Sequence, residues 1–136
     1  MQNWPLHTTI ADVFAIDMNE QVFDDIQKIF TEFKSIETNA VGERTFGDAE
    51  RPVDVVLLWN SPELQACHDT FIDTLTKHGA VFNNPEFTHD GFIPHSTIQR
   101  DKRLQIGDMV QLDKLAIVDM FPNNNWQQRK IHKIYA

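Results

Sequence analysis

The stretch "GFIPHSTIQR", from Gly91 to Arg100, carries a histidine and a threonine two residues apart, directly after a proline. The stretch "PLHTTI", from Pro5 to Ile10, repeats this arrangement near the start of the chain. Side chains two apart on a strand point to the same face, and the residue three further on points to the other. Each stretch therefore predicts a strand with an imidazole and a hydroxyl on one face and an isoleucine anchoring the other. The paired residues are His7 with Thr9 and His95 with Thr97, and His95 follows His7 by 88 residues.

Two imidazoles and two hydroxyls that face one cleft suit displacement at a phosphodiester. In that reaction one oxygen loses a proton while another gains one, and histidine, whose ordinary pKa lies near neutrality, can take or give it. Threonine hydroxyls can donate hydrogen bonds to the non-bridging phosphate oxygens. Such a site needs no metal and no cofactor, and none is expected.

The composition predicts a single domain over residues 1–136. The 41% hydrophobic and 24% charged content is ordinary for a globular protein. The formal net charge of -8 argues against a long nucleic-acid groove, which needs a basic stripe, but allows a small nucleotide or short RNA. No run approaches the roughly 18 apolar residues of a membrane span. The single cysteine, Cys67, cannot form an internal disulfide, so a cytoplasmic compartment is expected.

Hydrophobic periodicity and capping residues predict an α+β or mixed α/β domain. Asn19 and Ser61 are the expected N-caps of two amphipathic helices, which end near Phe33 and Gly79. The "PNNN" stretch at 122–125 predicts a hairpin loop. Strands are predicted at 5–14, 35–40, around His95, and at 53–59, 111–121 and 126–136, with a loop or hairpin region at 41–52.

With these residues in view, the chain resembles the 2H phosphoesterase superfamily, which includes the 2′-5′ RNA ligase-like proteins and the cyclic nucleotide phosphodiesterases. The resemblance rests on the two His-x-Thr-x motifs and on the order of the intervening "TFG", "VVLLW" and "SPEL" stretches, and it covers nearly the whole chain. The second motif is the closer match. Its matching residues are Phe92, Pro94, His95, Thr97, Ile98 and Arg100.

The resemblance implies a bilobal α+β fold, in which two antiparallel or mixed sheets line a central cleft and the helices lie outside. Members usually carry a strand and a helix before the first motif, and only six residues precede His7 here. The first lobe is therefore expected to be shortened at the N-terminus. An open sheet edge there would favour pairing between copies of the chain.

The implied activity is metal-independent phosphodiester cleavage or transfer on small cyclic or 2′-5′-linked nucleotides. In hydrolysis His95 would be the base and His7 the acid, with the roles exchanged when the reaction runs in reverse. Thr9 and Thr97 would hold the phosphate, and Arg100 would help to bind it. Two alternatives stay open: a nucleotide-binding module of the same fold without turnover, and an α+β interaction domain in which the repeated motif is a coincidence.

Several aromatic and titratable residues outside the two His-x-Thr pairs also carry predictions. Phe46 and Phe92, near a turn or a motif, are candidates for contact with the substrate, and Trp126 could also stack on a base. Trp59 follows an apolar run and is expected in the core, as is Cys67. His68 lies on the second predicted helix, and its side chain is expected to be partly exposed.

Overall fold

The computed structural model describes residues 4–125 and 128–136, and it confirms the α+β class. Within these residues the chain forms two helices and three antiparallel sheets. The central sheet has the strand order β5-β3-β2-β6, and the pairs β1-β4 and β7-β8 form two smaller sheets. The elements are β1 (Phe14–Ala15), α1 (Glu20–Glu32), β2 (Ile36–Phe46), β3 (Val53–Leu58), α2 (Pro62–Lys77), β4 (Val81–Phe82), β5 (His95–Thr97), β6 (Met109–Leu112), β7 (Leu115–Asp119) and β8 (Lys130–Tyr135).

Both helices begin where the capping residues predicted. The Asn19 side chain accepts the Val22 N–H at 3.0 Å, and the Ser61 hydroxyl accepts the Leu64 N–H at 3.1 Å. Each bond satisfies one of the free N–H groups of a first helical turn. The apolar stripes of α1 and α2 share one core with Phe92 and with Tyr135 of β8. The buried helix residues in this core are Val22, Ile26, Ile29, Phe30, Leu64, Cys67, Phe71 and Leu75.

The centre of the main sheet is longer than the sequence predicted. Residues 41–46, expected in a loop or hairpin region, continue β2 and pair with β3. Glycine has a low intrinsic preference for strands, but Gly42 does not end β2, because pairing with β3 outweighs that preference. The register shifts between Ala40 and Gly42, so the bulge falls at the half-exposed Val41. The loop is therefore reduced to residues 47–52.

The predicted strand at 5–14 is wrong as one regular element. Thr8 forms an isolated antiparallel bridge with Ser96, and Phe14–Ala15 pairs with β4 instead. The segment changes partners between these two points, so the first pairing stays a single bridge and the second is only two residue pairs long.

The predicted strand at 111–121 is two strands in different sheets. β6 pairs with β2, whereas β7 pairs with β8, and Asp113 and Lys114 separate them. A 3₁₀ turn at Pro122–Asn124 follows β7, in the predicted hairpin region. Trp126, a candidate for base stacking, lies outside the described residues, as does the start of the strand predicted at 126–136. Over the described part of the chain, neither helix has the length and apolar character needed to cross a bilayer.

Candidate active site

The two His-x-Thr stretches are immediate neighbours in space. The antiparallel bridge joins Thr8 to Ser96, the middle residues of the two motifs. In that register His7 lies opposite Thr97, and Thr9 lies opposite His95. Residues that are opposite in an antiparallel pair point to the same side. All four motif side chains therefore share one face, which we call the motif face (His7, Thr9, His95 and Thr97).

Solvent exposure follows the same alternation. Three of the motif-face residues are exposed and His95 is half-buried, whereas Ser96 is only 3% exposed. Diagonal residues in such a pair have Cα atoms roughly 7–8 Å apart, a spacing at which one small group can contact both side chains. The hydroxyls of Thr8 and Ser96, on the opposite face, are buried without a hydrogen-bond partner among the described residues.

Both imidazoles are anchored in the same way. The Nδ1 atom of His7 lies 2.9 Å from the Pro5 carbonyl oxygen, and that of His95 lies 2.7 Å from the Ile93 carbonyl oxygen. A carbonyl oxygen only accepts, so in each ring Nδ1 carries the donated proton. Nε2 of each ring has no hydrogen-bond partner among the described residues, so it can act as a base in the neutral form and as an acid in the protonated form.

Each motif histidine also has an aromatic neighbour. The ring of Phe46, at the end of β2, meets the His95 ring edge-on at 4.8 Å between centroids. The ring of Trp4 lies 6.2 Å from that of His7. Phe46 was a sequence candidate for substrate contact, and Trp4 was missed. No signal in the sequence pointed to Trp4, because Phe92, which holds the matching position before His95, lies in the core.

A cation that the sequence did not single out lies on the same side of the sheet. Arg44 is opposite Val55, and Val55 is opposite Thr97, so Arg44 shares the row and the face of Thr97. Its guanidinium carbon lies 5.1 Å from the centre of the Phe46 ring. It forms no ion pair within the described residues. Arg44 is therefore an exposed, unneutralised charge beside the aromatic neighbour of His95.

A comparison with protein-family models matches residues 1–128 to the 2′-5′ RNA ligase superfamily. The chain belongs to the 2′-5′ RNA ligase superfamily. This confirms the family that the two motifs indicated. Comparisons with curated proteins and with solved structures each found no match. The roles of individual residues in this member of the 2′-5′ RNA ligase superfamily therefore rest on its own geometry.

One predicted substrate residue, Phe92, lies elsewhere than expected for this superfamily member. Phe92 is in the core at 9% exposure, and its ring stacks on His68 at 4.0 Å, so it does not offer a face to a ligand on the motif face. Phe92 follows the 3₁₀ turn His89–Gly91 and precedes β5, so the alternation of that strand does not govern its side chain. Arg100 is exposed in a bend beyond β5 and makes no ion pair with any described residue.

Two further sequence predictions are corrected and one is confirmed. Trp59, expected in the core, is 51% exposed, because β3 ends at Leu58. It lines a depression of about 520 Å³ beside the start of α2, away from the motif face. His68, expected to be partly exposed, is buried at 1%. Cys67 is buried as predicted, and burial raises the pKa of its thiol to about 12.

The described residues hold no cluster of three or more His, Cys, Asp or Glu side chains with metal-ligand geometry. What the motif face offers is two imidazoles with free Nε2 atoms, two hydroxyls that can donate, and one nearby guanidinium. This set can move protons at two oxygens of a phosphodiester and donate hydrogen bonds to its other two.

Proposed function

We propose that this protein is a metal-independent phosphodiesterase that acts on small cyclic or 2′-5′-linked nucleotides through acid–base catalysis by His7 and His95. The observation that supports this most directly is the shared anchoring of the two imidazoles. Each donates from Nδ1 to the carbonyl oxygen two residues earlier, which leaves Nε2 free on one common face. Membership of the 2′-5′ RNA ligase superfamily supports the same class of chemistry.

For a 2′,3′-cyclic phosphate, the proposed hydrolysis uses both histidines in one displacement. Neutral His95 accepts a proton from water at Nε2 as the water oxygen forms a bond to phosphorus. Protonated His7 gives its Nε2 proton to the ribose oxygen whose bond to phosphorus breaks. The products are a phosphomonoester and a ribose hydroxyl, and proton exchange with solvent restores both rings. In the reverse direction the two histidines exchange roles.

The threonine hydroxyls are assigned to the phosphate. Thr97 lies opposite His7 and Thr9 lies opposite His95, so each hydroxyl flanks the imidazole of the other motif. Donation from both to the non-bridging oxygens would stabilise the negative charge that these oxygens carry during displacement.

The charge and the setting of the site favour a small substrate. The chain has a net charge of -8, and a long polyanion needs many more cations than the motif face offers. Arg44 and Phe46 provide one cation and one aromatic edge, which suits one nucleotide or a short RNA. The proposal includes a reducing, cytoplasmic setting, on the basis of the single cysteine.

The test is turnover in the presence of a metal chelator. The substrates are 2′,3′-cyclic mononucleotides, short 2′-5′ oligonucleotides and cyclic dinucleotides. His7→Ala and His95→Ala are each expected to lower kcat by about 10²- to 10⁴-fold, the usual contribution of a general acid or base. His132→Ala is the matched control, because His132 is exposed on β8, where its ring stacks on Phe23. It should leave kcat unchanged.

The outcomes separate the alternatives. Chelator-resistant turnover that both motif substitutions abolish would support the two-histidine mechanism and would identify the substrate class. Nucleotide binding without turnover on any substrate would replace the enzyme with a binding module. Turnover that survives both substitutions would reject the assignment of the histidines.

A further inference from the structure

His68 of α2 lies between the two segments that carry the motifs. The residue is only 1% exposed, whereas histidine is intermediate among the amino acids in its tendency to be fully buried. Its Nδ1 atom lies 2.5 Å from the Ile10 carbonyl oxygen, and its Nε2 atom accepts the His89 N–H at 3.0 Å. The ring stacks on Phe92, with centroids 4.0 Å apart and planes 4° from parallel.

These contacts specify one protonation state of the ring. The Ile10 carbonyl oxygen requires a proton on Nδ1, and the His89 N–H requires a lone pair on Nε2. The neutral imidazole with its proton on Nδ1 satisfies both. No other side chain on α2 makes hydrogen bonds to both motif segments within the described residues.

The three contacts all lie next to a motif in the sequence. Ile10 is three residues after His7, and Phe92 is three residues before His95. His89 begins the last turn before the second motif, and its backbone has the left-handed φ of 53°. One side chain thus joins a rigid helix to the segment after the first motif and to the segment before the second.

We propose that His68 is a positioning residue, which sets the placement of His7 relative to His95 by joining both motif segments to α2. The role rests on the proposed function of the motif face. It goes beyond the acid–base pair, because His68 lies in the core and touches neither the substrate nor the reacting atoms. A change in placement of about 1 Å can lower the rate of catalysis by about 100-fold.

The arrangement also makes the position of the motifs sensitive to acid. A proton on Nε2 would point at the His89 N–H, so the protonated ring cannot keep that contact. The charged groups around the ring are Asp69 and Asp73 on α2, and His89, whose own ring hydrogen-bonds Asp73 at 2.8 Å. Burial lowers the pKa of His68 below its ordinary value of 6.5, against the opposing effects of the Ile10 carbonyl and Asp69. The hydrogen bonds of His68 to Ile10 and His89 are therefore both present above about pH 6.5. The bond to His89 is lost as the pH falls through the lowered pKa that His68 has in the folded protein.

Two substitutions remove the hydrogen bonds of His68 to Ile10 and His89 to different extents. In His68→Asn the amide nitrogen can still donate to the Ile10 carbonyl, but nothing accepts the His89 N–H. In His68→Leu both contacts are absent. His78→Asn is the matched control, since His78 caps the same helix and is part-buried, but it bonds Asp25 of α1 at 2.7 Å instead of a motif segment.

Two readouts test the proposal, and only one of them needs activity. Hydrogen exchange of the backbone amides in segments 7–11 and 89–97 can be followed by mass spectrometry. It should be slowest in the wild type, faster in His68→Asn and fastest in His68→Leu. His78→Asn should leave both segments unchanged. For a substrate that the wild type turns over, His68→Leu should lower kcat by about 10- to 100-fold. His68→Asn should have a kcat between those of the wild type and the Leu variant, and KM should be nearly the same in all three. The fall in kcat of the wild type at acid pH should also be less steep in the Leu variant, which lacks the titrating ring.

The outcomes are distinguishable. If exchange in both segments is the same in His68→Asn as in the wild type and the control, the proposal is rejected. A kcat that falls equally in His68→Asn and His78→Asn would also reject it, because the effect would be a general loss of stability. If exchange changes as expected but the wild type has no turnover, the proposed function fails and the joining role of His68 stands. If the Leu variant does not fold, two other measurements test the proposal: hydrogen exchange in His68→Asn, and hydrogen exchange of segment 89–97 in the wild type at neutral and at acid pH.

Discussion

At the scale of single residues, the structure places a second basic side chain, Arg44, on the face of the motif histidines, in addition to the Arg100 that the motif spacing indicated. Arg100 follows His95 by five residues, but it lies in a bend beyond the end of β5. Arg44 comes from a different strand and reaches the same face through two ladders of cross-strand pairs. Its guanidinium lies over Phe46, which in turn contacts His95.

Arg44→Gln is expected to raise the KM of an anionic substrate by about 3- to 10-fold with little change in kcat. The reason is the loss of one charge-assisted contact at an exposed site. Steady-state kinetics at low and high salt measure the effect, and the difference from the wild type should shrink as salt increases. Lys28→Gln on the exposed side of α1 removes the same charge and is the control. Equal KM values in these two variants would remove Arg44 from the site, and Arg100→Gln tests the original prediction beside it.

At the scale of elements, the hairpin of β2 and β3 delivers Phe46 to His95. The turn after Phe46 is tight: Gly47 has a φ of +85°, and the Asp48 carboxylate accepts the N–H groups of Glu50 and Arg51 at 3.0 and 2.9 Å. A Cβ atom at position 47 would lie 2.4 Å from the Arg51 carbonyl oxygen. Only glycine therefore fits position 47 without strain, because its φ is in the left-handed region and because a Cβ atom there would clash with the Arg51 carbonyl oxygen.

Gly47→Ala and Gly79→Ala separate these two causes. Gly79 has the same φ of +85°, but no atom lies within 4 Å of a Cβ built there. Gly79→Ala should lower the free energy of unfolding by about 1 kcal/mol, from the left-handed backbone alone. Gly47→Ala should cost at least about 1 kcal/mol more, because the backbone must also move away from the added methyl group. Urea unfolding measures both, and similar losses at the two positions would show that the turn relaxes without strain.

At the scale of the whole molecule, the core between the two helices and the sheets encloses the single cysteine. Cys67 is 6% exposed. Burial raises the pKa of its thiol to about 12, with smaller contributions from Glu63 and Glu32. The thiolate, which is the reactive form, is therefore both scarce and inaccessible in the folded protein.

Alkylation of Cys67 should report the opening of the whole core. At about pH 8 the native protein is expected to react with iodoacetamide many times more slowly than the protein in concentrated urea, as followed by mass spectrometry. The rate in the native state should increase as urea is added below the unfolding midpoint. Rapid labelling without urea would mean that the region around α2 opens locally, which would also weaken the assignment of His68 as a rigid link.

The local features of the chain were predictable from its sequence. Capping residues specified the starts of both helices, and the strand period predicted that His7 shares a face with Thr9 and that His95 shares a face with Thr97. The extents of pairing were not predictable in the same way. Residues 41–46 became strand because β3 was available to pair with them, and residues 111–121 were divided because two different strands paired with their two halves.

The sequence by itself determined the family, the α+β class and the residues of the motif face, because these depend on side-chain identity and on spacing along one short segment. Only the tertiary structure decided which residues surround that face. It brought Phe46 to His95 and Arg44 to Phe46, buried Phe92 in the core and placed His68 between the two motif segments. Contacts of this kind join residues far apart in the chain: Ile10 and His68 are separated by 58 positions, and the bridge between Thr8 and Ser96 joins the two motifs themselves. They depend on which strands become neighbours, and no local period of the sequence encodes that choice.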